Sequence, residues 1–214
     1  MKHVTHYHKE PIFVKTKLSS KDLDSIKVEV KKVLENSTDF QKWNSKLAGN
    51  IEKEYQSPKI IQEILNPYIQ SSSEKFYLSS EEGGDVDKLR FVVVDQWINF
   101  QKKYEFNPMH DHSCSLSYVV WIQVPFDHEE EQNFSNCKDS NTKLNSMFSF
   151  SYLNIFGRIT NMTLPVDKSW EGTMIMFPSS LNHQVYPFYT SDDYRISIAG
   201  NVNIEIKKSL EITY

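Results

Sequence analysis

The chain has 214 residues, of which 39% are hydrophobic and 13% aromatic, and this is enough material for one domain with a substantial core. Its formal net charge of −4 lacks the basic excess of a nucleic-acid-binding protein, so nucleic acid is not expected as a partner. No apolar run is long enough to cross a bilayer, the first residues carry no secretory signal, and the only cysteines are Cys114 and Cys137; we therefore expect a cytoplasmic protein.

Helical spacing characterises residues 1–85, which are expected to form a lead-in strand and helices that support the rest of the chain. The strand is expected within residues 1–18. Three helices are expected after it: one from Ser19, one spanning Asp39 to Tyr55, and one from Ser57 that Pro67 kinks or ends early. The lead-in also carries three histidines that we interpret as solvated side chains: His3, His6 and His8.

Short apolar and aromatic runs separated by turns characterise residues 86–214. They predict strands near residues 89–99, 116–124, 147–156, 158–164, 173–177, 182–186 and 194–204. Many short antiparallel strands after a helical part are typical of a jelly roll, in which two sheets face each other. We therefore predict a mainly β protein, one compact unit overall, with the N-terminal helices on the outer face of a jelly roll.

The polar stretch of residues 126–144 is long for a connection inside a compact domain. It is expected to be either disordered or a lid over a functional site. Its acidic run, Glu129 to Glu131, is interpreted as solvated.

Three histidines form the most informative pattern in the sequence. His110 and His112 lie two residues apart, so on a strand they face the same way while Asp111 points to the other side. A strand that carries His183 can lie alongside them in a jelly roll. Three ligands on one side of an iron ion leave positions open for a bidentate co-substrate and for dioxygen, although imidazole also suits copper, zinc and nickel.

A second pair of polar residues follows on the last predicted strand. Arg195 and Ser197 are again two apart and face the same way. Arginine can hold a carboxylate through two parallel hydrogen bonds, and the serine hydroxyl can add a third. The pair therefore predicts a carboxylate receptor one strand away from a metal ligand, with a surface salt bridge of Arg195 as the alternative.

Taken together, these motifs resemble the iron(II)- and 2-oxoglutarate-dependent oxygenase superfamily, and most of all a small branch of it found in marine phages and bacteria. The matching residues span about 90–203: Trp97 and Asn99, His110-Asp111-His112, Leu116-Ser117 to Gln123-Val124-Pro125, Gly172 to Pro178, His183-Gln184-Val185, and Arg195-Ile196-Ser197-Ile198 with Asn201. A weaker similarity lies at residues 47–51. The resemblance implies a double-stranded β-helix that uses Fe(II), O2 and 2-oxoglutarate to hydroxylate a second substrate, with release of succinate and CO2.

The resemblance also implies roles for single residues. His110 and His183 match the two histidines of the superfamily's metal motif, and Arg195 and Ser197 match the pair that holds the distal carboxylate of 2-oxoglutarate. His112 departs from the pattern, since most members have Asp or Glu there. We prefer His112 as the third ligand on strand geometry, with Asp111 as the alternative if the backbone is irregular.

Two further co-substrate residues are expected, Asn99 as a polar contact and Tyr118 as part of the pocket wall. The substrate itself cannot be inferred from the sequence; a protein side chain, with proline preferred, is the working expectation because the polar stretch could close over a peptide. Two other functions stay open. One is a cupin-like three-histidine dioxygenase or metal hydrolase that ignores 2-oxoglutarate, and the other is a non-catalytic jelly-roll module. The sequence leaves the oligomeric state open, and a phage-encoded protein would act in the host cytoplasm.

Overall fold

The computed structural model describes residues 13–80, 85–154 and 156–207. Within these residues the strands are β1 (Val14–Lys17), β2 (Lys53–Gln56), β3 (Leu89–Gln101), β4 (Asn107–His110), β5 (Leu116–Gln123), β6 (Phe148–Leu153), β7 (Ile159–Leu164), β8 (Thr173–Pro178), β9 (Asn182–Val185) and β10 (Arg195–Ile206). The α-helices of the same residues are α1 (Ser20–Glu35), α2 (Lys59–Ser79) and α3 (His128–Gln132).

The strands form two antiparallel sheets. The larger sheet has the order β1-β8-β5-β10-β3-β2, and the smaller has the order β4-β9-β6-β7. Strands that are neighbours in a sheet are mostly distant in sequence, as in the crossing connections of a jelly roll. The predicted mainly β jelly roll with N-terminal helices is confirmed.

Side-chain alternation on β5 separates two hydrophobic clusters. Val119 and Trp121 pack in the cluster that also contains Phe148 and Phe150 of β6, so this cluster lies between the sheets. Tyr118 faces the other way, into the cluster that includes the buried faces of α1 and α2. Burying one such large side chain stabilises the fold by about 1.5–3 kcal/mol, so both faces of the larger sheet contribute.

An irregularity in β3 changes which residues face the site. Asn201 of β10 pairs with Asp95, but the next residue, Val202, pairs with Val93, so Val94 is an extra residue on β3. A bulge of this kind reverses the alternation of side chains. Phe91 and Val93 therefore pack against the helices, whereas beyond the bulge the odd-numbered residues, from Asp95 onward, lie on the face toward the smaller sheet.

The first predicted helix is confirmed, and its start is explained by a cap. The Ser19 hydroxyl accepts a hydrogen bond from the Asp22 backbone N–H at 3.1 Å. The helix predicted over Asp39 to Tyr55 is wrong. This stretch instead forms two single 3-10 turns, at residues 37–39 and 44–46, and then β2, because pairing with the edge of β3 overrides the helix-like apolar spacing.

Pro67 does not end α2, which continues to Ser79. Proline within a helix costs about 3 kcal/mol, but Pro67 lies on the exposed side while Ile69 and Phe76 beyond it are buried. Burial on the far side of the proline therefore keeps the helix intact. The three N-terminal histidines, His3, His6 and His8, lie outside the described residues.

The polar stretch of residues 126–144 is neither of the two expected alternatives, since it is folded and lines neither cavity described below. Its helix α3 buries Glu131, whose carboxylate accepts hydrogen bonds from the backbone N–H groups of Tyr189 and Thr190. Glu129 and Glu130 are exposed as expected, but the expectation of a solvated Glu131 is wrong.

None of the helices in the described part of the chain combines the length and the apolar character that crossing a membrane requires.

Candidate metal centre

The three predicted histidines come together at one end of the smaller sheet. His110, the last residue of β4, lies directly opposite His183 of β9. His112 follows two residues beyond β4, where its backbone N–H donates to the Ser179 carbonyl at 2.8 Å. One ring nitrogen from each histidine lies within 4.8 Å of the others, a separation that a single metal ion can bridge.

Backbone carbonyls orient two of the three rings. The Nδ1 atoms of His110 and His183 lie 2.8 Å from the carbonyl oxygens of Pro108 and Leu181. A protonated Nδ1 that donates to a carbonyl leaves Nε2 as a lone-pair donor, which is the usual arrangement around a protein-bound metal.

Burial keeps all three rings neutral. It lowers the pKa of His110, lowers the pKa of His112 to about 4, and lowers the pKa of His183 to about 3. Neighbouring histidines add to the effect at His112 and His183. Neutral imidazole is the form that binds a metal, so the rings are in the ligating state at pH 7. The donor set fits a divalent transition metal, including Fe(II).

Asp111 is exposed and is not part of the histidine cluster. The structure thus brings His112 to the site and turns Asp111 away, in the arrangement that strand alternation predicts. The reason differs from the prediction in one respect, because β4 ends at His110 and His112 is held by its backbone hydrogen bond to Ser179 instead of lying within the strand.

A cavity of about 50 Å³ adjoins the histidines, and we call it the inner cavity. Asn99 and Ser197 face each other on its wall, with the Asn99 Nδ2 atom donating to the Ser197 Oγ atom at 3.2 Å. The Asn99 Oδ1 atom is buried and has no hydrogen-bond partner among the described residues. Asn99 and Ser197, two of the four residues predicted to contact the co-substrate, therefore lie beside the three histidines.

Arg195 lies beyond this cavity and does not line it. Its side chain is only 2% exposed, between the rings of Phe126 and Phe188. Its Nε and Nη2 atoms donate to the Gln101 Oε1 atom, and its Nη1 and Nη2 atoms donate to the backbone carbonyls of Ser146 and Tyr186. Four of the five N–H groups are thus used within the protein, and the two-pronged carboxylate contact expected from the sequence is not available in this arrangement.

The charge of Arg195 is nevertheless without a direct counter-ion. Burial lowers the pKa of Arg195 to about 9, so the side chain stays protonated at pH 7. The negative charge of Glu131 acts in the opposite direction and raises this pKa. The described residues form no ion pair with Arg195 within 4.0 Å. A buried cation without a paired anion is costly, so one more anion near the remaining Nη1 N–H would be favourable.

Tyr118 borders the inner cavity, as expected of a residue in the pocket wall, but its ring packs in the cluster on the helix side of the sheet. Its hydroxyl donates to the Gln96 Oε1 atom at 2.7 Å, and burial raises the pKa of Tyr118 strongly. The hydroxyl is thus used within the protein, and a contact of Tyr118 with the co-substrate stays a prediction.

Sequence reasoning missed a buried polar group behind Asn99. Glu54 of β2 pairs with Asn99 and is completely buried, and burial raises the pKa of its carboxyl to about 8. The Glu54 Oε1 atom and the Oδ1 atom of Asn107, which lines the inner cavity, both lack partners among the described residues. A Cβ atom at Gly49 would lie 2.6 Å from the Glu54 Oε1 atom and 3.3 Å from the Asn107 Oδ1 atom, so only glycine fits beside them. The one feature of the sequence that could have pointed to Glu54 is Gly49, which lies within the weak family similarity at residues 47–51.

Residues 95–201, half of the chain, match the model of a family described as "Putative 2OG-Fe(II) oxygenase". The chain belongs to this family of 2OG-Fe(II) oxygenases. The matched segment contains the three histidines and the Arg195 and Ser197 pair. No curated protein matches the chain, and these comparisons carry no information on a phage origin.

Solved structures support the same fold at low sequence identity. A prolyl-4-hydroxylase from Pseudomonas putida is 12% identical with a TM-score of 0.51, covering 90% of this chain and 92% of that one. An oxidoreductase of the 2OG-Fe(II) oxygenase family from Burkholderia pseudomallei is 14% identical with a TM-score of 0.53, covering 90% and 84%. HygX from Streptomyces hygroscopicus, solved with nickel, 2-oxoglutarate and hygromycin B, is 8% identical with a TM-score of 0.52, covering 91% and 83%.

Proposed function

We propose that the protein is a 2-oxoglutarate-dependent hydroxylase in which His110, His112 and His183 hold Fe(II). The observation that carries the proposal is the convergence of three neutral imidazoles, two of them oriented through Nδ1, in a protein of the 2OG-Fe(II) oxygenase family. Bound iron and 2-oxoglutarate would supply the oxidation of a C–H bond by O2, with release of succinate and CO2.

The chain itself has three tasks in this chemistry. The histidines would hold the metal, and all three also line the inner cavity, where the co-substrate would bind. Ser197 and Asn99 offer hydroxyl and amide groups to an oxygen-rich co-substrate, and Arg195 offers positive charge just behind them. Phe148 and Phe177 pack against the His183 ring and help to shield it from water.

The direct test is 2-oxoglutarate turnover. Purified protein with Fe(II), O2 and 2-oxoglutarate should form succinate slowly even without a second substrate, and His183→Ala should not. A histidine control is available in His128, which lies on α3 and is not part of the cluster, so His128→Ala should retain the activity. If the wild-type protein and His183→Ala form equal amounts of succinate, the histidine site is not the site of the reaction.

One observation favours a second candidate, a three-histidine dioxygenase that does not use 2-oxoglutarate. The guanidinium of Arg195 is mostly occupied by protein oxygens, so it can give a ligand carboxylate at most one hydrogen bond in this arrangement. Thermal stabilisation separates the two candidates. 2-Oxoglutarate should raise the melting temperature in the presence of a divalent metal for the leading proposal and should have no effect for the second.

A prolyl side chain in a protein remains a candidate substrate, and a prolyl-4-hydroxylase is among the similar structures. Residues 126–144, which could have closed over a peptide, line neither cavity and so give this candidate no direct support. We also propose a cytoplasmic location, which the two free cysteines, Cys114 and Cys137, support.

A further inference from the structure

A second cavity, of about 320 Å³, opens beside the histidines, and we call it the outer cavity. It shares Trp97 and His112 with the inner cavity, so a molecule bound there would lie next to a candidate metal ligand. Its volume is at the small end of the range of about 300–1,000 Å³ that is typical of small-molecule sites. The outer cavity is therefore in the right place, and of the right size, for a small primary substrate.

Asp95 presents a fixed carboxylate to this cavity. The β3 bulge places Asp95 on the cavity face, and the Asn201 Nδ2 atom donates to its Oδ1 atom at 2.8 Å. Asn201 is itself held in place, because its Oδ1 atom accepts a hydrogen bond from the Ser117 Oγ atom at 2.7 Å. The Ser117 Oγ atom in turn lies 2.8 Å from the Ser179 Oγ atom. Asn201, Ser117 and Ser179 are all buried, so the chain orients the carboxylate through rigid partners.

Among the described residues Asp95 has a hydrogen-bond partner but no direct ion-pair partner, and Lys46 acts on it only from a distance. No lysine, arginine or histidine among the described residues lies within ion-pair distance of it. A half-buried carboxylate gains more from a charged donor than from a neutral amide. The position therefore favours a ligand that carries an ammonium group.

Lys46 brings the opposite charge to the same cavity. Its Nζ atom lies 3.7 Å from the centre of the Trp43 ring, a cation–π contact that holds the ammonium at the cavity wall. No carboxylate within the described ranges lies within 4.0 Å of it, Asp95 included. Asp95 and Lys46 thus place opposite charges on one cavity without pairing, as expected if a ligand with both charges binds between them. The cavity wall also carries the exposed carboxylate of Asp111, which has no buried partner in the part of the chain that the structure describes to fix it as Asn201 fixes Asp95.

We propose that the outer cavity binds the primary substrate and that this substrate is a small zwitterion of the amino-acid class. Asp95 would receive its ammonium group, Lys46 its carboxylate, and Trp97 its aliphatic part beside His112. The inference rests on the proposed hydroxylase function: one atom of O2 enters a substrate C–H bond to give C–OH, and the other enters 2-oxoglutarate, which is oxidised and splits into succinate and CO2.

Binding under nitrogen tests the proposal without turnover. Protein with Fe(II) and 2-oxoglutarate is titrated calorimetrically with the standard L-amino acids, and then, for any that binds, with its N-acetyl and carboxamide derivatives. We expect at least one free amino acid to bind. Each derivative should bind about tenfold more weakly or worse, because each loses one charged contact of about 1.4 kcal/mol.

Matched variants locate the site. Asp95→Asn and Lys46→Met should each weaken amino-acid binding by about tenfold, a loss of about 1.4 kcal/mol. The exposed Asp24 and Lys59 provide the same changes away from both cavities, and Asp24→Asn and Lys59→Met should bind like the wild type. Prolyl peptides serve as the competing probe.

The proposal is overturned if no standard amino acid binds, if binding survives both cavity substitutions, or if only peptides bind. Titrations of metal and of 2-oxoglutarate on the same samples separate this failure from that of the proposed function. If both still bind to the wild type, the hydroxylase proposal stands while the substrate class is wrong. If neither binds, the proposed function itself has failed.

Discussion

Replacing Arg195 with methionine should destabilise the protein strongly, in addition to any effect on 2-oxoglutarate. The substitution keeps a long side chain between Phe126 and Phe188 but removes all four hydrogen bonds to Gln101, Ser146 and Tyr186. Three buried acceptors then lose their donor, at about 1–3 kcal/mol each. Removal of the costly buried charge offsets part of this, so we expect a net loss of about 3–5 kcal/mol.

The measurement is the thermal unfolding of metal-free protein. For a chain of this size, 1 kcal/mol corresponds to about 2–4 °C, so Arg195→Met should lower the melting temperature by about 6–20 °C. Arg158 is exposed and offers a matched control, since Arg158→Met should change the melting temperature by no more than about 2 °C, corresponding to the usual limit of about 0.5 kcal/mol for surface changes.

If Arg195→Met melts within about 2 °C of the wild type, a change of less than about 1 kcal/mol, then the guanidinium contributes little to the stability of the fold and is free to bind a ligand alone. Ser197→Ala is the complementary test, because it changes co-substrate binding without removing a large part of the folded-state contacts. Ser197 lines the inner cavity and makes a single side-chain hydrogen bond, to Asn99. The substitution should weaken 2-oxoglutarate binding while leaving the melting temperature nearly unchanged.

Three further predictions concern single side chains. The pKa of Glu54 is about 8 in the folded protein against an ordinary value near 4.5, so between these two pH values the folded state keeps a proton that the unfolded state has lost, and stability falls as the pH rises. Glutamine at this position does not titrate, so the melting temperature of Glu54→Gln minus that of the wild type should increase from pH 5 to pH 8. A constant difference would show that Glu54 does not hold the proton. Tyr118→Phe leaves the Gln96 Oε1 atom without its donor and should lower the free energy of unfolding, measured by chemical denaturation, by about 1–3 kcal/mol. Metal affinity should be unchanged, and a loss of metal binding would show that Tyr118 supports the metal site. His112→Ala should abolish tight metal binding in calorimetry whereas Asp111→Ala should not, and the reverse result would make Asp111 the ligand.

The strands and the histidine cluster could be predicted because their signals are local. Runs such as Phe148 to Tyr152 alternate with serines, and the two-residue spacing of His110 and His112 is enough to place them on one side. The position of His183 also follows once the jelly roll is accepted. Periodicity sets the side-chain directions within the strands, whereas His112, just beyond β4, is placed by its backbone hydrogen bond to Ser179.

Other features depend on tertiary structure that no periodicity reveals. The extra residue of the β3 bulge lies in Val92-Val93-Val94, where three identical residues hide the reversal of faces. The helix predicted from Asp39 failed because β2 gains its stability from pairing with β3. The partners of Arg195 come from Gln101 and from two backbone carbonyls, which carry no sequence signal.

The same limit applies to the outer cavity. Lys46 and Asp95 are far apart in the sequence, and they line one cavity only because the 3-10 turn at residues 44–46 and the bulged strand β3 border the same space. Their opposite charges are unremarkable in the sequence and informative only when the cavity between them is known.

Calorimetric titration under nitrogen shows whether the three histidines form a metal site that then accepts 2-oxoglutarate. We expect the wild type to bind one Fe(II) per chain and His183→Ala to bind none, and we expect 2-oxoglutarate to bind only after Fe(II) has been added. If His183→Ala binds Fe(II) with wild-type affinity, or if 2-oxoglutarate binds equally tightly without metal, the histidines do not form this site.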